Sequence, residues 1–272
     1  MTSHTYRKPI MAVLTTATML FFAFPFVWTL LISFGPDILG SASSFSLDNY
    51  VYVLGINGVD TNFLKSMQDT LVVGLGTMIL AISLAVLASY AITRCKFRGS
   101  GLIAFGMLAF PMAPAVGLLL PIFVAFVVFG LYDTYGGLVL VYTAFQLPLI
   151  IWMLRGFFQG LPAQLEEAAM VDGCSRFSAF LRVVLPNMRP GLTATAILSF
   201  LLAWNEFLFP LALAGSNVTV LTVAMDEYLG KATIYYGRLG AAAVVGAIPG
   251  ILFTALAGRE LEKALTFGYV KG

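Results

Sequence analysis

The sequence has little charge and almost no histidine. Asp, Glu, Lys and Arg make up 10% of the 272 residues, whereas soluble domains contain about 25%. The single histidine, His4, lies in the N-terminal tail, which leaves no Ser-His-Asp triad and no histidine-based metal site. The only Gly-Lys pair, Gly230-Lys231, has Met225 where a phosphate loop needs its first glycine. We therefore expect a chain that is not an enzyme, holds no metal and does not hydrolyse ATP by itself.

Hydrophobic residues dominate instead, at 60% of the sequence with a mean hydropathy of +0.93. A hydrocarbon core of about 30 Å needs about 20 residues of apolar helix. Six runs reach that length, so we predict an all-α integral membrane protein with spans at 10–32, 71–92, 102–129, 137–157, 192–213 and 239–257. The third run contains Pro111, Pro114 and Pro121, which predict either a kinked helix or two separate pieces.

The distribution of lysine and arginine predicts the orientation. Basic residues next to membrane spans stay in the cytoplasm. Placing both termini inside leaves only Lys65, Lys231 and Arg238 outside, whereas the opposite orientation would export the other twelve basic residues. The longest cytoplasmic connection is then 158–191. The outer loops, 33–70 and 215–238, carry acidic residues beside aromatic ones, a pattern that suits protein or sugar contact and equally suits solvated loops with interfacial anchors.

Local signals in 158–191 predict two short helices. Pro162 suits a helix start, Glu166 and Glu167 complement the helix dipole, and Gly173 suits a helix end, so the first helix should cover 163–172. Two adjacent carboxylates and two alanines would give it a low-profile surface that another protein can approach closely. The second helix should cover 176–185, where apolar residues recur at helical spacing.

The spacing of this segment resembles the EAA loop of binding-protein-dependent ABC importer permeases. Glu167-Ala168-Ala169 is followed after three residues by Gly173, after nine more by Val183, and then by Leu185-Pro186. The departure is Val183, where isoleucine is usual. Asp172-Gly173, Trp204-Asn205-Glu206 and the C-terminal residues 265–272 are similar to the carbohydrate-uptake, maltose-type branch of that family.

The resemblance implies a single permease domain over 1–272 with the MetI-like fold, in a prokaryotic cytoplasmic (inner) membrane. It also implies a heterodimer with a second permease, two cytoplasmic ATPase subunits that bind ATP and Mg, an extracytoplasmic solute-binding protein, and a sugar substrate that moves by alternating access. No cofactor is expected in this chain, and the identity of the sugar stays open. The alternative is a secondary, ion-coupled transporter, which would need its own ion-coupling carboxylates.

The resemblance also assigns roles to particular residues. ATPase coupling is expected of Glu167, Ala168, Ala169, Asp172, Gly173, Leu185 and Pro186. The end of the tail, Lys271-Gly272, would reach between the ATPases.

Polar residues inside the spans are candidates for the translocation pathway. A carboxylate in a span costs about 2.5 to 3.5 kcal/mol on insertion scales, so Glu206 should face the bundle interior or an aqueous cavity. Asn205 and Trp204 beside it offer amide hydrogen bonds and an apolar ring face for a sugar, and Gln146 is a further candidate. Alternatively, Asn205 and Glu206 bond another helix or each other's surroundings and hold the two permeases together.

Overall fold

The computed structural model describes residues 7–36, 45–56, 58–59, 61–95, 97–109, 114–230 and 234–267, with the backbone alone at 7–10, 104, 108 and 256–267. Over these residues the chain consists of helices and their connections, without a strand. The all-helical class predicted from composition is confirmed.

The first of two compact units comprises Met1–Leu64 and Ala224–Ile248. It contains α1 (Arg7–Ser33), α2 (Asp48–Val53), a 3-10 turn (Met225–Leu229) and the first part of α13 (Tyr236–Phe267). The Asn49 amide donates hydrogen bonds to the carbonyls of Ser33 and Gly35, at 3.0 and 2.9 Å. A Cβ on Gly240 would lie 3.0 Å from the Ser33 nitrogen, so the glycine lets α13 approach the end of α1 closely.

The second unit comprises Lys65–Val223 and Pro249–Gly272. Its helices are α3 (Phe63–Arg94), α4 (Ser100–Ala109), α5 (Ala115–Val128), α6 (Tyr135–Gly160), α7 (Gln164–Val171), α8 (Arg176–Ala179), a π-helical turn (Phe180–Val184), α9 (Leu185–Asn187), α10 (Arg189–Trp204), α11 (Leu208–Leu213) and α12 (Leu221–Ala224), together with the rest of α13.

Helix α6 is the central element of this unit because it contributes to both apolar cores. Near its C-terminal end, Leu154 and Phe158 are fully buried against Val184 and Phe180 of the π-helical turn. Near its N-terminal end, Leu138 and Tyr142 belong to a second core with Phe209 and Leu213 of α11. The two ends of α6 therefore each carry a packed cluster, and the functional segments described below are attached to these ends.

Within the described residues, four helical segments are long and apolar enough to cross a membrane: Met11–Ser33, Phe63–Arg94, Tyr135–Gly160 and Tyr236–Ala255. They correspond to predicted spans one, two, four and six. Helix α3 begins at Phe63 instead of 71, so Asp69 lies in a helix and not in the first outer loop. The count of six crossings stays a prediction. These four segments and the two interrupted ones described next are consistent with it.

The third and fifth predicted spans are each interrupted. Helix α4 ends at Ala109 and α5 begins at Ala115, with Pro114 in extended backbone (φ −64°, ψ 114°). This interruption follows from the proline content; Pro111 itself lies outside the described residues. The fifth span, predicted over 192–213, consists of α10 and α11 with a break between Trp204 and Leu208.

Candidate coupling site and membrane pathway

Helix α7 forms the centre of the candidate coupling site. It covers Gln164–Val171, one residue shorter at each end than the predicted 163–172. Glu166 and Glu167 lie in its first turn, where negative charge is favoured by the helix dipole. Helix α6 ends before it at Gly160, and α8 begins after it at Arg176. The segment is therefore flanked by a helix on each side.

Gly173 ends α7 in a Schellman motif. The Cys174 N–H donates to the Ala169 carbonyl at 3.0 Å, and the Gly173 N–H donates to the Met170 carbonyl at 3.1 Å. Gly173 has φ +91°, a region that other residues rarely adopt, and open space surrounds its Cα. The glycine is therefore required by backbone conformation, as the sequence predicted, and not by crowding.

One face of α7 is exposed and has an alanine at its middle. Glu167 and Ala168 are exposed, Ala169 is half-buried, and Val171 at the end of the helix is 86% exposed. Asp172, the C-terminal cap, is exposed as well. Because an alanine at the middle of this face projects little beyond the backbone, another protein can come close to the helix there.

The structure corrects the expectation that both glutamates share this outward face. Glu166 is buried, with 6% of its side chain exposed. Successive residues of a helix are rotated by about 100°, so Glu166 points nearly opposite Ala168, two positions later. Glu166 points instead towards the C-terminal end of α3, where Tyr90 and Arg94 lie.

Three side chains surround the Glu166 carboxylate. The Tyr90 hydroxyl donates a hydrogen bond to Oε1. Arg94 Nε lies 3.7 Å from Oε2, and Arg176 Nε, on an arginine that is 59% exposed, lies 3.9 Å from Oε1. Arg94 Nη2 also donates to the Leu161 carbonyl at 2.7 Å, directly after α6. The carboxylate thus joins α7 to α3 and to the start of α8.

The ring of Tyr90 is packed by two further elements. Its centroid lies 6.0 Å from that of Phe158 in α6 and 4.7 Å from that of Phe180 in the π-helical turn. The segment that follows α7 is helical over 176–187, longer than predicted and with a π-helical turn inside it. Leu185 packs on this same core, whereas Pro186 is exposed. Among the EAA-like residues, Glu167 and Ala168 therefore lie on the outward face of α7, whereas Leu185 packs on the apolar core.

The break in the fifth span contains the pathway candidates. Glu206 Oε1 accepts hydrogen bonds from the Leu208 and Phe209 N–H groups, at 3.0 and 3.4 Å. The Thr222 hydroxyl donates to the Glu206 carbonyl at 2.7 Å, and the Asn205 amide donates to the Leu201 carbonyl at 2.7 Å. Glu206 therefore caps α11 and satisfies the backbone groups that the interruption would leave unpaired.

Trp204 and Gln146 are buried on the helices beside this break. Trp204 lies against Phe200 with ring centroids 5.4 Å apart. The Gln146 side-chain amide and the Ser199 hydroxyl are hydrogen bonded, with heavy atoms 2.9 Å apart, which links α6 to α10. The structure brings Trp204, Asn205 and Glu206 together at one interruption and places Gln146 on α6, bonded to Ser199 of α10.

A second polar cluster lies at the N-terminal end of α6. The Asp133 carboxylate accepts hydrogen bonds from the N–H groups of Gly215, Asn217 and Val218, at 2.8 to 2.9 Å. Burial by itself would raise the pKa of Asp133, but these three bonds and the nearby Lys65 ammonium outweigh it and hold the pKa below its ordinary value. The Asp133 carboxylate therefore holds the start of the loop after α11.

Asp69 in α3 holds the same loop from another side. It accepts hydrogen bonds from the Tyr135 hydroxyl at 2.7 Å and from the Thr219 N–H at 3.0 Å. In addition, the Leu221 N–H donates to the Thr70 hydroxyl at 2.7 Å. The predicted outer loop at 215–238 thus begins as an ordered structure.

The residues of the tail, Lys271 and Gly272, lie outside the described part of the chain.

Sequence reasoning missed the anchoring residues Glu166, Tyr90, Arg94 and Asp133. Glu166 could not be told apart from Glu167 by local signals, because adjacent residues of a helix can both be exposed, as Glu167 and Ala168 are. No local signal identified Tyr90 or Arg94 as its partners, since they lie on α3, far away in sequence. Asp133 directly precedes Thr134, the N-cap of α6, and a carboxylate in a tight connection suggests local hydrogen bonding without showing which loop it holds.

Comparisons with known proteins agree with this architecture. Residues 5–265 match the family described as binding-protein-dependent transport system inner membrane component. The chain is 34% identical to the trehalose transport system permease protein SugB of Mycobacterium tuberculosis, over 98% of both chains. It is 33% identical to the trehalose/maltose transport system permease protein MalG of Thermococcus litoralis, over 92% of this chain and 91% of the relative. The diacetylchitobiose uptake system permease protein NgcG of Streptomyces coelicolor is 36% identical over 90% and 82% of the two chains.

A solved structure has the same fold. The crystal structure of a bacterial ABC transporter involved in the import of the acidic polysaccharide alginate contains a chain that superposes with a TM-score of 0.77 at 20% identity. The superposition covers 96% of this chain and 98% of the other. The MetI-like fold expected from the EAA spacing is therefore confirmed.

These matches decide between the two transporter classes considered from the sequence. They support a non-catalytic, multi-pass permease component of the cytoplasmic membrane and give no support to the ion-coupled alternative. Since the match extends over nearly the whole sequence, the chain belongs to the family of binding-protein-dependent transport system inner membrane components, the permease subunits of ABC importers.

Proposed function

We propose that this chain is one of two permease subunits of an ATP-driven sugar importer, and that an ATPase subunit seats on the exposed face of α7. The observation that carries the proposal is the two-sided character of this helix. Glu167, Ala168 and Val171 face outward, whereas Glu166 is tied to α3 on the opposite side. A helix that is accessible on one face and anchored on the other can pass a displacement from a docked protein to the membrane helices.

The residues of the outward face suit a cleft in a partner. Ala168 and Ala169 permit close approach, and Glu167 can accept hydrogen bonds or pair with an arginine of the ATPase. Val171 supplies an exposed apolar contact at the end of the helix. Asp172 and Gly173 then turn the chain out of the cleft, Leu185 packs on the core behind the helix, and Pro186 offers a further exposed contact.

The nucleotide and its metal belong to the partner. ATP and Mg would be bound by two cytoplasmic ATPase subunits, since this sequence has no phosphate loop. ATP binding would close the ATPases, and the two coupling helices would carry that motion to a heterodimer of permeases. Alternating access then follows if the permease pair opens outward in the closed state of the ATPases. The tail through Lys271-Gly272 would contact the ATPases.

The sugar class is supported by three relatives whose names specify trehalose, trehalose/maltose and diacetylchitobiose. We infer that Trp204, Asn205 and Glu206 contribute to the pathway, with Gln146 a weaker candidate. Interrupted backbone at membrane depth is tolerated where it is buried in protein or lines a water-filled cavity. The break between α10 and α11 offers an amide, a carboxylate and an indole at such a place.

An extracytoplasmic solute-binding protein would deliver the sugar. The loop fixed by Asp133 and Asp69 is a candidate surface for that delivery, because a pre-ordered loop loses little conformational entropy when it binds. Its position at the opposite end of α6 from α7 agrees with the orientation that the basic residues predict.

Copurification tests the assignment directly. The tagged chain is expressed together with its candidate ATPase and second permease and extracted in mild detergent. The expected result is a complex with one copy of this chain, one second permease and two ATPases. A chain that purifies without ATPase under conditions where it is folded, as judged by a cooperative thermal transition, would contradict the proposal.

The substrate class has its own experiment. The solute-binding protein is purified and screened by calorimetry against trehalose, maltose, diacetylchitobiose and an unrelated amino acid. We expect binding of a sugar and no binding of the amino acid. Binding of the amino acid alone would overturn the sugar assignment and leave the permease assignment intact.

A further inference from the structure

Docking of an ATPase onto α7 does not account for Glu166. This side chain faces away from the outward stripe and is almost completely buried. Burying a carboxylate is costly unless it is paired and hydrogen bonded, and an apolar residue of similar size would commonly pack as well or better. A charge at this position therefore serves to fix one arrangement of α7 relative to its neighbours.

The partners that fix it come from one helix. Tyr90 and Arg94 are four positions apart in α3, so they lie on the same face in its last turns. The Tyr90 hydroxyl bonds Oε1 and the Arg94 guanidinium faces Oε2. Both carboxylate oxygens are thus directed at α3, whereas Arg176 approaches from the solvent side. The contact specifies the orientation of α7 and not only its proximity.

Arg94 contacts both the first turn of α7 and the connection that leads into it. Its Nη2 donates to the Leu161 carbonyl, in the connection between α6 and α7, and its Nε faces the first turn of α7. That Nε is buried and has no hydrogen-bond partner within the described residues, since Oε2 lies at 3.7 Å, beyond hydrogen-bond distance. A small shift of α7 towards α3 would bring Oε2 within hydrogen-bond distance of this Nε.

We propose that the buried contact of Glu166 with Tyr90 and Arg94 is the joint through which α7 moves α3, which makes Glu166 a positioning residue for transport. The inference rests on the proposed function, because it needs an ATPase to displace α7. If a docked ATPase displaces α7, the Glu166 carboxylate cannot separate from Arg94 without leaving a largely buried guanidinium without its charged partner. The C-terminal end of α3 therefore follows α7, and the displacement enters a helix that spans the membrane.

A structural role alone would predict a different outcome. If the contact only stabilised the fold, its loss would lower thermal stability and the amount of assembled complex, and the surviving complexes would import as much solute per ATP as before. A joint predicts that assembled complexes continue to hydrolyse ATP and import less solute per ATP. The ratio of uptake to hydrolysis therefore separates the two roles.

The first experiment measures that ratio in proteoliposomes containing the full complex of permeases, ATPases and solute-loaded binding protein. In Glu166→Gln and Arg94→Gln we expect the import per ATP to fall by about tenfold, a typical size for coupling between two sites. Arg98→Gln is the matched control, because Arg98 is exposed and lies four positions beyond Arg94. It removes the same charge and is expected to behave like the natural chain.

The second experiment uses the two cysteines of the chain, because they lie just beyond the ends of the two helices concerned. Cys95 directly follows α3, and Cys174 follows the end of α7. Spin labels on this pair, in a complex whose other subunits lack reactive cysteine, report the distance between the ends of the two helices. In the natural chain we expect one narrow distribution with the same maximum without nucleotide and with a non-hydrolysable ATP analogue. In Glu166→Gln we expect this distance distribution to broaden, or its maximum to shift, when the ATP analogue is added.

The outcomes separate the inference from the proposed function. A natural chain that forms no complex with ATPase contradicts the proposed function. A complex that transports while Glu166→Gln retains the natural import per ATP overturns the joint. If Glu166→Gln does not assemble, Tyr90→Phe decides, because it keeps the ring against Phe158 and Phe180 and removes only the hydroxyl. Unchanged import per ATP together with an unchanged Cys95 to Cys174 distance distribution in Tyr90→Phe would also overturn it.

Discussion

The Tyr90 hydroxyl donates a hydrogen bond to the Glu166 carboxylate, although the two residues are 76 positions apart in the sequence. Through this bond a membrane-spanning helix contacts the short helix on which an ATPase is proposed to seat. The opposite face of the same short helix is exposed at Glu167 and Ala168. Anchoring and docking therefore occupy different faces of α7, and they can be tested separately by substitution.

Substitution of Ala168 by tryptophan tests the docking face. A large ring on this exposed position should leave the stability of the chain within about 0.5 kcal/mol, as for most surface changes, and should prevent close approach of the ATPase. We expect ATPase to be lost from the purified complex. Val128→Trp, also at an exposed position but on α5, is the control and should retain it. Equal ATPase content in both variants would contradict the docking assignment.

Gly173→Ala tests the turn that ends α7. An L residue in the left-handed region costs about 1 to 2 kcal/mol, and because no atom crowds the site, the cost is conformational. We expect a fraying C-terminal end of α7, seen as faster amide exchange at Gly173 and Cys174, and a lower import per ATP. A bulkier residue should uncouple hydrolysis from transport further. The control Gly156→Ala, in a helix with open space around it, should do neither.

Glu206 can be tested as a helix cap and as a pathway residue with two variants. Glu206→Gln retains a carbonyl oxygen that can accept from Leu208 and Phe209, so stability should change little. Glu206→Ala loses the cap and should cost about 0.5 to 2 kcal/mol of stability. If the carboxylate contacts the sugar, both variants lower uptake at equal amounts of complex. Normal uptake by Glu206→Gln would restrict this residue to the capping role.

Asp133 predicts a pH dependence. Its pKa is lower in the folded protein than in the unfolded chain, so its contribution to stability is complete above the unfolded pKa of about 3.9 and is lost as the pH falls through the folded value. Protection of residues 215–218 from amide exchange should therefore decline below about pH 4. Asp133→Asn should cost about 1 to 3 kcal/mol at neutral pH and remove this acid dependence. An unchanged acid dependence in the variant would contradict the assignment.

Gly191→Ala tests the packing between α6 and α10. A Cβ at this position would lie 2.5 Å from Cγ of Phe157, and such overpacking typically costs about 1 to 3 kcal/mol. We expect a lower melting temperature of the detergent-solubilised chain. The double variant Gly191→Ala with Phe157→Val should recover part of the loss. Additive destabilisation in the double variant would show that this contact is not the cause.

Local signals were sufficient for the features that depend on neighbouring residues. The bounds of α7, the turn at Gly173 and the break near Pro114 follow from capping, backbone conformation and the missing proline N–H. The class of the protein follows from apolar runs of membrane length.

Features that depend on distant contacts were not predictable in the same way. Glu166 and Glu167 are equivalent by local criteria, and only Tyr90 and Arg94 on α3 distinguish them. The interruption after Trp204 has no glycine or proline within it, and it depends on Glu206 capping α11 and on Thr222 bonding the Glu206 carbonyl. Asp133 likewise acquires its role from a loop that begins more than 80 residues later.

Uptake by reconstituted vesicles tests whether this chain transports sugar only as part of an ATP-driven complex. Purified chain is placed in proteoliposomes alone, with an ion gradient, and with the second permease, the ATPases, ATP and a solute-loaded binding protein. We predict sugar accumulation only in the complete system, and none when ATP is omitted or when Ala168→Trp replaces the natural chain. Accumulation by this chain alone, driven by an ion gradient, would show that it is not the permease subunit of an ATP-driven importer.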